Sequence, residues 1–490
     1  MPPALKSPPS PPEAAISADD KTLKNLKRLI WLYFWLLIFE GTFRKWVLPQ
    51  FSDVLLVIRD PVVIAIYFLA FKARVFPRNA YIISLALIAL FSWLVALLVL
   101  LPYLAPKQLF LVSAFGFRCN FLHLPLIFII GKLITAKQVK KFGGWILVGM
   151  IPMALLMALQ FSSPSESFVN RGAGLGDTQQ ITAGSGKIRA AGTFSFVSGV
   201  VSYSALAAVF LLYGALKRGV YRNWLLYSAG FALIIAIGVS GSRSALLAVL
   251  VIISSMVLIL LVRPSAINQF GRNLLILVIA LLLASQLPLF KEGVQVLSTR
   301  FTDAAESGEE SIAGGLLFRV VGGFTEGLMH LRHAPIGGYG LGIGTNGGSK
   351  FLTGQNTFLL AEGEWGRIIL ESGPILGFAF IIWRTLLTAK LGLISFQLLR
   401  RGDILPIMLF CAGFLSLLSG QFGQPTSLGF AVFICGLCLA TANRETAAPE
   451  TGASTSTDQP RRRVARRSRY AEHLHTSGAS HRHSDGSTDR

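Results

Sequence analysis

AYIISLALIALFSWLVALLVLL, running from Ala80 to Leu101, contains no charged residue. An apolar run of about 20 residues is long enough to cross a hydrocarbon core of roughly 30 Å as a helix. Runs of this kind recur from Leu29 to Ala442. Hydrophobic residues make up 53% of the 490, charged residues 14%, and the mean hydropathy is +0.60. That balance excludes an ordinary soluble domain. A closed β-barrel would instead alternate polar and apolar residues over segments of about ten. The expected fold is all-α: a polytopic membrane protein with twelve transmembrane helices, occupying residues 29–442.

The net charge of +21 does not point to nucleic acid, because most of it lies in short loops and in an Arg-rich tail, residues 443–490. In a membrane protein such charge reports orientation. With the N-terminus inside, every second loop is basic: Lys72, Arg74 and Arg78, then Lys132, Lys137, Lys140 and Lys141, then Lys217, Arg218 and Arg222, then Arg263 and Arg272, then Lys390, Arg400 and Arg401. Both termini are then cytoplasmic. The Pro/Ser-rich start, residues 1–28, and the 443–490 tail have the composition of disordered segments. The four cysteines sit in apolar runs and form no disulfide or zinc pattern.

Two long polar segments fall outside in this arrangement, residues 162–192 and 290–365. The second is the main interruption of the hydrophobic chain. It is expected to carry a helix on the membrane face around Leu316 to Leu331. It ends in the glycine-rich HAPIGGYGLGIGTNGG, residues 333–348. Without a preceding strand or a following GK[ST], those glycines are a flexible, close-approach turn, not a phosphate-binding loop.

Charges inside apolar runs are costly, about 2.5 kcal/mol or more for an arginine at mid-membrane, and therefore informative. Arg118 in GFRCNFLHLP and Arg59 and Asp60 in IRDPVV either line a polar cavity or form buried ion pairs, while Arg44 in EGTFRKWVLP, four residues after Glu40, either pairs with it on one helix face or snorkels to the interface. Helical spacing puts Asn120 and His123 on one face and Arg118 away from them. Arg189 in GKIRAAGTF precedes a span and Arg243 in SGSRSALL opens one. A helix N-terminus offers free N–H groups and a positive dipole, so Arg243 with Ser242 is a candidate anion clamp, against simple capping by Ser240 or Ser242. Within AEGEWGRIILESGPILG, Glu364, Arg367 and Glu371 share a helix face with Glu362 at its mouth. They form either a salt-bridge ladder or a source of a catalytic carboxylate. His330 and His333, three apart, lack a third metal ligand.

The main outward loop between spans nine and ten, the R..GTF element at Arg189, SGSRSALL at Arg243, and the run from Arg319 through HAPIGGYGLGIG to ESGPILG together resemble the O-antigen ligase and polymerase superfamily of bacterial envelope proteins. The resemblance covers about Ile30 to Ala442. It implies a bacterial inner-membrane enzyme that moves a glycan from undecaprenyl diphosphate to an acceptor sugar, with no metal, nucleotide sugar or other cofactor. Arg189, Arg243 and Arg319 would hold the diphosphate, and Arg118, Arg59, Asp60 and Arg44 would line the cavity. Where family members carry a His-Asn pair before the ESG-like turn, this chain has Glu362, so Glu362 and Glu364 are the candidate catalytic pair, with His330 or His333 as another source of a base. The implied partners are the undecaprenyl-diphosphate-linked oligosaccharide, the acceptor glycan, the lipid bilayer and other envelope polysaccharide assembly proteins, and not nucleic acid. Polymerisation of repeat units is favoured because EGTFRKWVLP, RDPVV and GFRCNFLHLPL resemble first-half elements of one polymerase-like branch. Ligase-type transfer, a lipid-linked oligosaccharide transporter and a silent scaffold are the alternatives.

Overall fold

In the computed structural model of the chain, residues 13–174, 182–184, 187–262, 282–283, 285–306, 323–354 and 359–442 are described. They belong to the first of two compact units, which ends at Glu445. The expected disordered tail, residues 443–490, lies outside the described residues, as do residues 1–12 and Arg319.

The described chain is a helical membrane protein. In order it forms α1 (Glu13–Thr42), α2 (Asp60–Lys72), α3 (Ala80–Leu100), α4 (Pro106–Phe117), α5 (Leu126–Leu133), α6 (Ala136–Ser162), α7 (Val197–Leu216), α8 (Asn223–Val239), α9 (Arg243–Val262), α10 (Pro288–Glu306), α11 (323–331), α12 (Asn346–Thr353), α13 (Glu364–Arg401), α14 (Leu405–Ser419) and α15 (Pro425–Ala442). Thr182–Gly184 and Lys187–Ile188 form a small antiparallel hairpin. Among the described residues, eight helical stretches are long and apolar enough to cross a membrane, and two shorter apolar helices, α8 and α14, accompany them. The apolar second half of α1 packs Tyr33, Phe34 and Leu37 into the core. The ninth expected span, Leu274 to Phe290, lies largely outside the described residues.

The spans are less regular than their hydropathy suggests. The run expected to be one helix from Leu109 to Gly131 is α4, a π-turn at Arg118–Leu122, and α5. The run from Val54 to Phe71 opens in a short helical turn, Ser52–Leu55, and forms its main helix from Asp60, with Pro61 in its first turn, where a missing N–H is harmless. The run from Gly366 to Leu387 belongs to α13, whose two arms meet at a break.

That break follows from Gly373 and Pro374. Gly373 takes φ 77° and ψ 169°, a region open essentially to glycine alone, and Pro374 has no N–H to give to Leu370. The arms fold back on each other: a Cβ on Gly377 would sit 2.9 Å from the carbonyl of Ile368. The first arm, Glu364 to Ser372, is therefore re-entrant, antiparallel to the long arm that continues to Arg401. Such a turn is tolerated inside a membrane protein when its freed carbonyls find partners within the protein. Here Tyr339 N–H donates to Leu370 O at 2.7 Å and Gly340 N–H to Glu371 O at 3.1 Å. The glycine-rich turn is thus held against the break and is not a free flap.

Candidate functional site

Four interlocked charges join the re-entrant arm to the long arm. Arg367 lies 3.1 Å from Glu364 and 2.6 Å from Glu371 on its own arm, while Arg384 of the long arm reaches Glu364 at 2.8 Å. All four side chains are buried. Arg384 also donates to Leu417 O at 2.8 Å and Gly420 O at 3.0 Å, and its guanidinium stacks 3.8 Å over the Phe422 ring. Glu371 receives the Gly344 N–H at 2.9 Å, tying the glycine-rich turn to the same group. Two carboxylates and two guanidiniums balance, and each finds hydrogen bonds, which a buried ionic cluster requires.

Glu362 and Glu364, expected as a pair, are placed in different surroundings. Glu364 is buried with both oxygens engaged, one of them also receiving Phe422 N–H at 3.2 Å. Glu362 is exposed at the mouth of the arm, and its carbonyl accepts from Gln421 Nε2 at 3.0 Å. The same mouth holds two residues of α11. A Cβ on Gly363 would strike the carboxylate of Glu326, and one on Gly366 would meet His330 at 2.9 Å. Glu326 and His330 are themselves 3.9 Å apart. His333 turns away and contacts Met329 O at 3.2 Å. Sequence reading missed Glu326, whose signal was its i, i+4 spacing to His330, and Arg384, an arginine inside an apolar run.

A second buried charge group joins α1, α2 and the π-turn. Glu40 pairs with Arg59 at 3.2 Å and with Arg44 at 3.6 Å. Asp60 pairs with Arg118 at 2.5 Å and lies 2.9 Å from His123, whose other ring nitrogen is 3.2 Å from the Tyr33 hydroxyl. Arg59 donates to Pro425 O at the start of α15, and Arg118 to Leu56 O at 2.9 Å. Arg59 and Arg118 are thus buried in ion pairs, not placed on the wall of an open cavity. The expected separation of Arg118 from His123 is overturned by the π-turn. Its i to i+5 hydrogen bonding brings residues five apart onto one side, so both face Asp60, while Asn120 turns to Arg367 at 2.8 Å. The π-turn is the joint between the two charge groups. The Asn120 side-chain nitrogen is buried there without a hydrogen-bond partner among the described residues.

The R..GTF segment docks on this hairpin. A Cβ on Gly41 would collide with the backbone of Thr193, Phe194 and Ser195, so the EGTF glycine marks where that segment crosses α1. Lys45 donates to Gly192 O at 3.1 Å and Arg44 to Ser195 Oγ at 3.1 Å. Arg189, at the start of this segment, is half-buried. Two residues earlier, Lys187 pairs with Glu292 of α10 at 2.9 Å, and the next residue, Gly293, packs on the carbonyl of Gly238 at the end of α8. Arg243, half-buried, opens α9 a few residues on. Ser242 accepts from Ala245 N–H at 3.3 Å, so capping of α9 is realised alongside any role of the arginine.

No family model matches the chain. No curated protein matches it. Among the described residues, no group of three or more His, Cys, Asp and Glu side chains is placed to hold a metal ion.

Proposed function

We propose that this protein transfers a glycan from undecaprenyl diphosphate to an acceptor sugar at the outer face of a bacterial inner membrane, polymerising O-antigen or exopolysaccharide repeat units. The observation that carries this reading is the docking of the R..GTF segment onto the first hairpin, next to three guanidiniums set against two carboxylates: Arg44, Arg59 and Arg118 with Glu40 and Asp60. Arg44, half-buried against the segment that Arg189 opens, adds a cation that suits a site receiving a diphosphate. The link through Lys187, Glu292 and Gly238 brings the start of α9, with Arg243, toward the same region, and Arg319 would complete the set.

In this reading the acceptor hydroxyl attacks the anomeric carbon. The bond from that carbon to the diphosphate oxygen breaks, and the leaving diphosphate takes the electron pair and is stabilised by the arginines. The configuration inverts. Glu362, exposed at the mouth of the re-entrant arm, accepts the hydroxyl proton, and Glu326 and His330 beside the same turn carry it onward. Glu364, with both oxygens in ion pairs, holds the arm in place.

The test is polymer formation in cells. Arg189→Ala and Arg243→Ala should each abolish the polymer while the protein remains inserted in the membrane. Polymer of normal length in both variants would remove the assignment.

A further inference from the structure

At the end of α2 the chain reads FKARVFPRNAY, and it closes the helix in a Schellman motif. Arg74 N–H donates to Phe71 O at 3.0 Å and Val75 N–H to Ala70 O at 2.9 Å. The motif demands a left-handed residue, and glycine usually supplies it. Here Arg74 does, at φ 55°, and it is the one non-glycine residue with positive φ among the described residues. An arginine in that conformation is disfavoured, and such strain persists where the surroundings or a function hold it.

The surroundings are a cavity of about 640 Å³ lined by Phe71, Arg74, Phe76, Pro77, Arg78 and Lys132. Lys132 comes from the last turn of α5, so two separate elements contribute its three cations. No carboxylate lines it. Three like charges around one cavity repel each other unless an anion joins them. Phe71 stacks on Phe76 with ring centroids 4.0 Å apart, yet Phe71 stays 55% exposed. Cations over a polar cavity beside an exposed phenyl ring match a molecule that carries a phosphate and an acyl chain together. Inorganic phosphate would use the cations alone.

We propose that the cavity lined by Phe71, Arg74, Phe76, Pro77, Arg78 and Lys132 binds the headgroup phosphate of an anionic membrane phospholipid, with Arg74, Arg78 and Lys132 on the phosphate and Phe71 against the acyl chain. Basic pockets between helices are a known way for membrane proteins to hold anionic lipid. The strained Arg74 supplies a guanidinium at the one position where the helix cap alone would favour glycine.

That conflict gives a clean experiment. The full-length protein is reconstituted in phosphatidylcholine nanodiscs with graded phosphatidylglycerol, and bound phosphatidylglycerol is counted by native mass spectrometry. Arg74→Gly satisfies the cap better than the native residue, so it should fold with an unchanged or higher melting temperature and yet bind phosphatidylglycerol about fivefold more weakly. Lys132→Gln should weaken binding to a similar degree. Arg218→Gln, in a different basic loop, should not. Wild-type affinity in Arg74→Gly would overturn the proposal, and so would an equal loss in Arg218→Gln, which would mean that only net charge matters. Full displacement of the lipid by millimolar inorganic phosphate would also overturn it, by identifying a free-phosphate site.

Discussion

Arg384 and Glu364 form a 2.8 Å ion pair although twenty residues separate them along α13. A straight helix would hold them roughly 30 Å apart. They meet because the chain reverses at Gly373, and the pair locks the re-entrant arm to the long arm.

Truncating either partner of this pair should be costly, and truncating both should cost less than the sum of the two. Arg384→Met leaves Glu364 with Arg367 alone, and Glu364→Gln leaves the Arg384 charge buried. Each should lower stability by about 3–5 kcal/mol. The double variant should lose at least about 1 kcal/mol less than the two losses added together. Unfolding of the detergent-solubilised protein measures all three, and strict additivity would mean that the two side chains do not act on each other.

The reversal itself depends on glycine. A Cβ on Gly373 would strike the carbonyl of Ile336, at φ 77° and ψ 169°. Gly373→Ala is therefore expected to cost about 3 kcal/mol, through strain and collision combined. Gly354 ends α12 at a similar φ of 76° with nothing within 4 Å of an added Cβ, so Gly354→Ala should cost only about 1 kcal/mol. Equal melting temperatures for the two variants would contradict the assigned break.

Lys350 of α12 and Asp53 before α2 are 2.6 Å apart but 40% and 70% exposed. Solvent screening leaves such pairs with little net worth, so Lys350→Ala should shift stability by less than about 1 kcal/mol. A loss as large as that of the buried pair would show that this contact anchors α12 to the segment before α2.

Orientation has a direct readout. In a variant with the four native cysteines replaced by alanine, Cys introduced at Arg78 and at Gly354 should react with a membrane-impermeant maleimide from opposite sides, Gly354 from outside. Labelling of both from one side would break the loop-charge assignment.

Much of this arrangement was legible one residue at a time. The cost of burying Arg59, Asp60 and Arg118 announced that each needed a partner, and the spacing of Glu364, Arg367 and Glu371 announced a ladder. Which partners they chose was not legible. Asp60 finds Arg118 and His123 across more than fifty residues, and the local periodicity that makes a helix readable does not encode contacts at that range. The π-turn at Arg118–Leu122 shifts the facing of Asn120 and His123 by a geometry that apolar pattern alone cannot signal. The apolar run from Gly366 to Leu387 reads as one span, and the break inside it at Gly373 and Pro374 is not signalled by hydropathy. That the chain would reverse there and bring α11 with Glu326 and His330 to the mouth followed from packing.

The central claim is glycan transfer from a lipid diphosphate, and reconstitution tests it most directly. The purified protein is placed in liposomes with undecaprenyl diphosphate bearing a labelled oligosaccharide repeat, without metal or nucleotide sugar. Lengthened glycan on the lipid and free undecaprenyl diphosphate released in proportion are expected, both lost in Arg189→Ala. Label that crosses the bilayer unextended, or stays unchanged, would contradict that claim.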